Sequence, residues 1–457
     1  MASKKPVASN GGGVPRSVGH PVFGQPEPTP DPTKFRINHP SDNTAYAEID
    51  QLNREHAIKP LPFPAPRGLP EPRLTLAQVF GNTDPIQNIE KNGQIVFHSG
   101  GDCGSTSGPK YQNQVTDKME ADFRESEPKE VPQFHLLLGD VVYSFGEAQY
   151  YYDQFYEPYR SYPAPILAAA GNHDGMVSPV AHAAGLSAFL RNFCAQEGKF
   201  EISPDAGGLS RTAQIQPGVF FTFEAPFLRI IVLYSNTLED PGVIADKPTD
   251  KKNIGTSQLD FLKAALKRVV AEGFRGALLF ADHHPPYTAG STHGWSSDML
   301  AQIDQICTEV GIWPHAFLSG HAHNYQRFTR TRPDGTQIPY IICGNIGHGI
   351  RQLSKTGAIR TPQIIQEASK GSDQVVFENY DDQDYGYLRV VVNSTQLRIE
   401  YHPASDGVGA KTPDDFVTVD LRSRKLVHFN ASDLGQQKAR EVVQQEVAVS
   451  EKHKSSK

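Results

Sequence analysis

Seven side chains that often bind metal ions are gathered into five short segments of this chain. They combine carboxylate, amide and phenol oxygens with imidazole nitrogens, a mixture that suits first-row transition metals better than Mg²⁺ or Ca²⁺. A carboxylate can bridge two cations, and two ions about 3.5–4 Å apart can share a hydroxide that attacks a phosphate ester. The sequence therefore predicts a site for two metal ions that share Asp140. Its predicted ligands are Asp102, Asp140, Tyr143, Asn172, His283, His321 and His323.

Each of these segments follows a short apolar run. Continuous apolar runs of this length are typical of strands that are buried on both faces of a sheet. We therefore expect a strand immediately before each group of candidate ligands. The runs are residues 94–98, 134–138, 165–170, 277–281 and 316–318.

Helical patterns lie between the runs. Apolar residues recur at helical spacing in residues 257–270 and 299–310. Alternating strands and helices predict a layered α/β fold, in which loops at the carboxyl ends of strands build the functional site. Further along the chain, residues 387–392 and 397–401 predict a β-hairpin, and residues 416–421 predict a third strand.

The composition supports a buried core and argues against two classes of partner. The chain has 457 residues, of which 38% are hydrophobic, and its formal net charge is −7 with acids and bases mixed. This charge disfavours nucleic acid or an anionic membrane surface as the main partner. No apolar run reaches about eighteen residues, so we expect no membrane-spanning helix.

Three regions follow from the local composition. Residues 1–75 are rich in Pro, Gly and polar residues and predict an extended or disordered arm. Residues 76–430 would form the catalytic domain, including the C-terminal strands, and residues 431–457 a charged tail. Four dispersed cysteines and the lack of a secretory signal favour a cytoplasmic location.

The ordered motifs resemble those of a known family. Gly-Asp-x-Gly, Gly-Asp-x-x-Tyr, Gly-Asn-His-Asp, His-x-Pro-x-Tyr and Gly-His-x-His occur in this order within residues 94–350. This set is similar to the calcineurin-like metallophosphoesterases, and in particular to their purple acid phosphatase branch. Most relatives have a histidine where Gly104 stands here, and Tyr143 stands where the branch has an iron-binding tyrosine. The resemblance implies a four-layer α/β/β/α sandwich of two mixed sheets.

The resemblance also implies a role for each candidate residue. A ferric site would use Asp102, Asp140, Tyr143 and His323. A second site for Fe(II), Zn or Mn would use Asp140, Asn172, His283 and His321. A pair of Mn or Zn ions is the alternative within the wider family. His173 would face the phosphate or the leaving group, and His293 would be a second histidine on the substrate side.

Several residues have simpler interpretations. Tyr143 could pack under its loop as an ordinary aromatic, and His173 could have a structural role. The motif spacing selects His283 as the ligand, and strand alternation would turn His284 away. His293 lies one residue further from the ligand histidine than some relatives would have it. The aromatic-rich residues 150–159 predict a helix that packs into the core rather than a substrate platform.

The predicted reaction is hydrolysis of phosphate monoesters, with a phosphate ester as the only expected partner. A phosphodiesterase or nucleotidase on the same fold is the alternative, because substrate choice lies in loops such as 175–215 and 350–380. A catalytically silent binding protein is the third interpretation. The complete set of ligand types at every motif argues against it.

Overall fold

The computed structural model describes residues 17–25, 47–48, 51–52, 64–178, 183–235, 241–249, 254–290, 293–355, 357–367 and 372–427. The predicted arm 1–75 is therefore described only in part, and the predicted tail 431–457 lies outside the described residues. Both of these domain boundaries stay predictions. None of the helices in the described part combines the length and the apolar character that crossing a membrane requires.

Short and long strands make up most of the regular structure. In chain order the strands are β1 (Ser17–Val18), β2 (Arg73–Thr75), β3 (Gln94–Gly100), β4 (His135–Leu138), β5 (Ile166–Ala169), β6 (Val177–Ser178), β7 (Ala183–Ala184), β8 (Phe200–Glu201), β9 (Phe221–Ala225), β10 (Leu228–Val232), β11 (Ala277–Ala281), β12 (Ala316–Ser319), β13 (Tyr325–Thr331), β14 (Gln337–Cys343), β15 (Gln363–Gln366), β16 (Gln374–Asp381), β17 (Gly386–Asn393), β18 (Gln396–Pro403), β19 (Asp415–Asp420) and β20 (Lys425–Leu426).

The α-helices with bounds inside the described residues lie mostly between these strands. In chain order they are α1 (Leu76–Phe80), α2 (Asp84–Asn92), α3 (Lys110–Ala121), α4 (Asn172–Gly175), α5 (Ser187–Phe193), α6 (Ser257–Ala271) and α7 (Ser297–Val310). Three short 3₁₀ turns (Asp122–Arg124, Pro128–Glu130, Ala148–Tyr150) and a π-helical turn (Tyr152–Tyr156) complete the list.

Two large mixed sheets organise the molecule. The nine-stranded sheet has the order β15-β16-β13-β14-β12-β11-β10-β9-β2, and its centre, β10-β11-β12-β14, is parallel. The seven-stranded sheet has the order β20-β19-β18-β17-β3-β4-β5, in which β3, β4 and β5 are parallel. Two further two-stranded sheets pair β1 with β8 and β6 with β7.

Alternate side chains of each central strand pack on opposite faces. Leu136 and Leu138 of β4 share one buried apolar cluster with Leu279 of β11, so this cluster lies between the two large sheets. Leu278 and Phe280, the neighbours of Leu279, belong to a second cluster. That cluster also contains buried side chains of the helices that cover the outer faces: Val115, Met119, Leu262, Leu266, Ile303 and Ile306. The expected arrangement of two mixed sheets with helices outside is confirmed.

The predicted elements agree closely with the observed ones. The five apolar runs correspond to β3, β4, β5, β11 and β12, and the two helical patterns correspond to α6 and α7. The expected C-terminal strands are β17, β18 and β19. The aromatic segment differs: instead of an α-helix, it forms a 3₁₀ turn and the π-helical turn Tyr152–Tyr156. Its aromatic side chains Tyr151, Tyr156 and Tyr159 are buried in the core, as predicted.

Candidate metal centre

The predicted ligands lie on loops that leave the two large sheets at the same edge. Asp102, Asp140 and Asn172 follow β3, β4 and β5 of the seven-stranded sheet. His283 follows β11, and the two histidines of the Gly-His-x-His motif follow β12 of the nine-stranded sheet. Parallel strands end together, so residues far apart in the chain meet at one place. All seven predicted ligands are buried.

The backbone of this site is unusual at four predicted ligands. Asp102 and Asp140 have φ of 58° and 52°, and His321 and His323 have φ of 69° and 48°. Non-glycine residues rarely occupy this left-handed region, and such conformations concentrate at functional sites. Each sharp turn points a polar side chain back over the end of its strand. The geometry of the loops therefore favours the site at some cost in backbone energy.

Three predicted ligands form what we call the tyrosine-side cluster: Asp102, Tyr143 and His323. The Tyr143 hydroxyl lies 2.9 Å from Asp102 Oδ1 and 3.3 Å from His323 Nε2. Asp102 Oδ1 and His323 Nε2 are 3.2 Å apart. Two oxygens and one nitrogen thus converge on a single point, which is the arrangement that ligands of one ion require.

Four predicted ligands form the asparagine-side cluster: Asp140, Asn172, His283 and His321. His283 Nε2 lies 3.0 Å from Asn172 Oδ1 and 3.2 Å from Asp140 Oδ2. It also lies 3.2 Å from His321 Nδ1. The ligand atoms of Asp140, His283 and His321 all fall within 4.8 Å of one another. Although His283 Nε2 lies 3.2 Å from it, Asp140 Oδ2 has no hydrogen-bond partner among the described residues, so this buried oxygen is available to a cation.

Asp140 stands between the two clusters. Its Oδ1 accepts a hydrogen bond from the backbone N–H of His173, 2.9 Å away, and its Oδ2 belongs to the asparagine-side cluster. Burial raises the pKa of the Tyr143 phenol well above its usual range, and the charges of Asp102 and Asp140 raise it further. The Asp140 carboxylate thus lies in the asparagine-side cluster and its charge acts on Tyr143 of the other cluster, as expected of a residue that binds two ions.

The electrostatic field of the site favours positive charge. Burial opposes ionisation of Asp140, but His283 and His173 outweigh it and lower the pKa of the carboxyl group. Burial would also lower the pKa of His283, yet the charges of Asp140 and Asp102 raise it to about 10. Burial raises the pKa of Asp102 to about 6. The two carboxylates thus favour a positive charge on His283 between them. A metal ion would supply positive charge there more effectively than a protonated histidine.

The two histidines that follow β12 are in the neutral form that binds metals. Burial lowers the pKa of His323 to about 3 and that of His321 well below the usual histidine range. A neutral imidazole offers a lone pair to a cation. Together with buried oxygens at 2.9–3.3 Å from imidazole or phenol atoms, these nitrogens fit two adjacent transition-metal ions.

Glycine is required where ligand side chains approach the backbone closely. A Cβ on Gly171 would collide with the Asp140 carboxylate. A Cβ on Gly104 would lie 2.7 Å from Val141 O and 3.1 Å from Tyr143 Cδ2. Its closest contact would be Gln154 Oε1, at 2.5 Å, so Gly104 makes room for the Gln154 side chain, the Val141 carbonyl and the edge of the Tyr143 ring.

His173 and His293 border the clusters, and their catalytic roles stay predictions. His173 Nδ1 lies 2.7 Å from the Ser144 carbonyl, so it carries the proton and leaves Nε2 toward Asp140 Oδ2 at 3.9 Å. The ring of His293 lies 4.7 Å from that of His321 and 4.8 Å from that of His323, measured between centroids. In the described part of the chain neither ring nitrogen of His293 has a hydrogen-bond partner. Burial lowers the pKa of His293 to about 3.

His284 does not turn away from the site, contrary to the expectation from strand alternation. Its ring packs 4.3 Å from that of His321, because the chain leaves the extended conformation after β11. Its Nδ1 instead pairs with Ser235 Oγ at 2.9 Å. The motif spacing still selected the histidine whose Nε2 lies in the asparagine-side cluster.

Three supporting residues were not assigned a role from the sequence. The Gln154 side chain accepts from Tyr143 N and donates to Tyr143 O, each at 2.9 Å, and so holds the tyrosine backbone on both sides. The ring of His348 stacks on that of Tyr143, with 3.7 Å between centroids. Asp174 accepts from Gly171 N at 2.9 Å and from Val141 N at 3.1 Å. Of these three residues only Asp174 belongs to a motif, Gly-Asn-His-Asp, that could have indicated its role from the sequence.

The two mixed sheets and the buried carboxylate–imidazole clusters at their strand ends define an α/β protein suited to binding metal ions. The calcineurin-like phosphoesterase family model matches residues 73–325, which is more than half of the chain. This chain therefore belongs to the calcineurin-like phosphoesterase family, whose members are hydrolases. The family prediction is confirmed. None of the curated proteins matches the chain.

Solved structures of phosphatases are similar to this chain at low identity. A purple acid phosphatase from seeds of yellow lupin (Lupinus luteus) is 16% identical, with a TM-score of 0.48. The match covers 74% of this chain and 57% of the lupin chain. PhoD is 12% identical over 75% of this chain and 72% of its own, with a TM-score of 0.43. A dimetal phosphatase from Danio rerio is 11% identical over 68% and 96%, with a TM-score of 0.39.

Proposed function

We propose that this protein is a two-metal phosphatase that hydrolyses phosphate monoesters and that it belongs to the purple acid phosphatase-like branch. The observation that carries the proposal is the pair of buried clusters, one of which contains Asp140, whose charge also acts on Tyr143 of the other. The tyrosine-side cluster would hold Fe(III), because a phenolate favours a strongly Lewis-acidic ion. The asparagine-side cluster, with its two imidazoles, would hold Fe(II), Zn or Mn.

The bound ions would supply Lewis acidity and activate water near neutral pH. The residues of the chain would do the rest. Asp140 would fix the spacing of the two clusters, and Asn172 would add a neutral oxygen without more negative charge. His173, whose Nδ1 is held by the Ser144 carbonyl, would direct Nε2 toward the phosphate oxygens or the leaving group. His293 would close the opposite side, beside His321 and His323.

All seven predicted ligands are buried, and this burial would keep bulk water away from the reacting phosphate. All four cysteines are free in the described residues, and three of them are buried. This agrees with a reducing compartment such as the cytoplasm, and we retain that location as part of the proposal.

The test is a panel of phosphate monoesters and diesters assayed across pH, combined with metal analysis. We expect about two transition-metal ions per chain and monoester hydrolysis. Asn172→Ala should lower kcat/KM by at least about 100-fold and reduce the metal content, since ligand-shell losses of 10–100-fold are common even for supporting groups. Asn88→Ala, at an exposed position of α2, is the matched control. Diester hydrolysis that exceeds monoester hydrolysis would favour a phosphodiesterase instead. A metal-free, inactive protein that cannot be reconstituted would overturn the enzyme assignment.

A further inference from the structure

Arg351 is attached to the metal centre through its backbone. Its N–H donates a hydrogen bond to the carbonyl of His323, at 3.0 Å. The Asn324 side-chain amide donates to the Arg351 carbonyl, at 2.8 Å. These two bonds hold the Arg351 backbone beside the segment that carries a predicted ligand. The position from which its side chain extends is therefore defined.

The Arg351 side chain has no partner in the part of the chain that the structure describes. It is exposed, and it forms neither a hydrogen bond nor an ion pair with any described residue. Other arginines nearby in the nine-stranded and seven-stranded sheets are paired. Arg327 contacts Asp415 at 2.7 Å, Arg330 contacts Asp304 at 2.5 Å, and Arg389 contacts Glu130 at 2.5 Å. A guanidinium group that lies beside the candidate metal centre and has no acceptor among the described residues is suited to bind an anionic ligand.

Arg351 lies beside the candidate metal centre and is not part of the acidic cavity that the next residues along the chain help to form. That cavity is lined by Gln352, Ser354 and Lys355 together with Asp381 and Asp382, and Arg351 is not part of its wall. The Arg351 backbone bonds instead to His323, whose ring lies 4.8 Å from that of His293.

We propose that Arg351 binds a second anionic group of the substrate. The substrates would then be phosphate esters or anhydrides that carry another phosphoryl or carboxylate group beside the phosphate that reacts. This inference rests on the proposed function, because it assumes that the reacting phosphate lies over the two clusters. An arginine side chain is always charged and presents a planar fork that matches either anion with two hydrogen bonds.

The geometry favours the second anion over the reacting phosphate as the partner of Arg351. Seven predicted ligands and His173 already surround the place where the reacting phosphate would lie. Arg351 is anchored on the backbone of His323 and its side chain is exposed, so it is accessible to a part of the substrate that extends toward solvent. A substrate with a single phosphate would leave the guanidinium in water, whereas a doubly anionic substrate would use it.

The experiment compares three substrates in three variants. Phenyl phosphate has no second anion, 2-carboxyphenyl phosphate adds a carboxylate, and inorganic pyrophosphate adds a phosphoryl group. Arg351→Gln removes the charge at similar length, and Arg351→Lys keeps the charge without the fork. Arg360→Gln, which removes an exposed arginine further along the same loop, is the matched control.

In Arg351→Gln we expect KM for 2-carboxyphenyl phosphate or pyrophosphate, or both, to rise about tenfold or more. KM for phenyl phosphate should stay within about twofold, and Arg351→Lys should restore part of the loss. Which of the two substrates responds identifies the second anion. An equal loss on all three substrates would assign Arg351 to the reacting phosphate, and no change on any would remove it from the site. Either result overturns the proposal. A wild-type protein that hydrolyses none of them, with bound metal, would instead refute the proposed function.

Discussion

Tyr143 is the residue on which the choice of metals depends. Its hydroxyl lies between Asp102 and His323 at ligand-like distances. Burial and two neighbouring carboxylates raise the pKa of the phenol, so the protein alone does not stabilise a phenolate. Only a strongly Lewis-acidic cation would do so. Gly104 makes room for the ring, and the stacked His348 keeps it in place.

Tyr143→Phe tests this role directly. In the iron-loaded wild-type protein we expect a visible absorption band from phenolate-to-iron charge transfer, and the variant should lose it. Iron content should also fall, since the ion loses one of its oxygen ligands. Absorption spectra and metal analysis are the measurements. Tyr111→Phe, an exposed tyrosine stacked on Tyr385, is the control. A colourless and active wild-type protein with two Mn or Zn ions would contradict the branch assignment and leave the family assignment intact.

At the scale of elements, the loops at the strand ends hold the chemistry and the C-terminal strands stiffen the sheet beneath them. β17 enters the seven-stranded sheet beside β3, the strand that leads to Asp102. β17 and β18 are joined by a buried ionic group. Glu400 on β18 lies 3.2 Å from Arg389 on β17, 2.6 Å from Arg398 and 3.3 Å from His402.

The charge of Glu400 should make the acid stability of the protein depend on this group. Burial opposes ionisation, but His402, Arg398 and Arg389 lower the pKa of Glu400 from 4.5 to about 2. The folded-state pKa is depressed, so the stabilisation is complete above pH 4.5 and disappears as the pH falls toward 2. At about 1.4 kcal/mol per pKa unit, the contribution at neutral pH is roughly 3 kcal/mol.

Glu400→Gln should therefore lower the free energy of unfolding at pH 7, and its difference from the wild type should shrink between pH 4.5 and pH 2. Urea unfolding at several pH values measures this difference. Glu90→Gln, at an exposed position of α2, serves as the control and should change little. A difference that stays constant over the whole pH range would show that the loss comes from packing and not from the charge.

At the scale of the whole molecule, the metal centre connects the two large sheets. Asp102, Asp140 and Asn172 come from loops of the seven-stranded sheet, whereas His283 and the two histidines after β12 come from the nine-stranded sheet. Each cluster contains ligands from both sheets. A cation in either cluster would be held by ligands from both sheets. Metal binding should therefore stabilise the complete fold and not a single loop.

Chelation should lower the thermal stability of the protein. A ligand present at about 100 times its Kd stabilises the folded state by about 2.7 kcal/mol. For a chain of this size that free energy corresponds to roughly 3 °C in Tm for each ion, so we expect a decrease of roughly 6 °C after removal of two metal ions. Differential scanning calorimetry of metal-loaded and chelator-treated protein measures the change. The Asn172→Ala variant should show a smaller one. An identical decrease in both proteins would mean that the stabilising ions bind elsewhere.

The sequence by itself determined the ligand types and the strands that precede them. Buried parallel strands appear as continuous apolar runs, and the polar segments that follow them keep their order in any fold of this class. Strands β3, β4, β5, β11 and β12 could be predicted for this reason. The π-helical turn at Tyr152–Tyr156 could not, since Gln154 within it bonds the backbone of Tyr143 in the preceding loop, a contact that local periodicity does not indicate.

Only the tertiary structure decided which residues meet. His348 stacks on a tyrosine about half the chain away, and the Arg351 backbone bonds to His323 on a neighbouring loop. Neither residue belongs to a motif. Each reaches its neighbour through the fold of the chain and not through a regular spacing in the sequence. The sequence thus carried the motifs of the family, and the packing of the two sheets decided which residues lie beside them. Local pattern encodes element type, whereas contacts between distant elements depend on the complete fold.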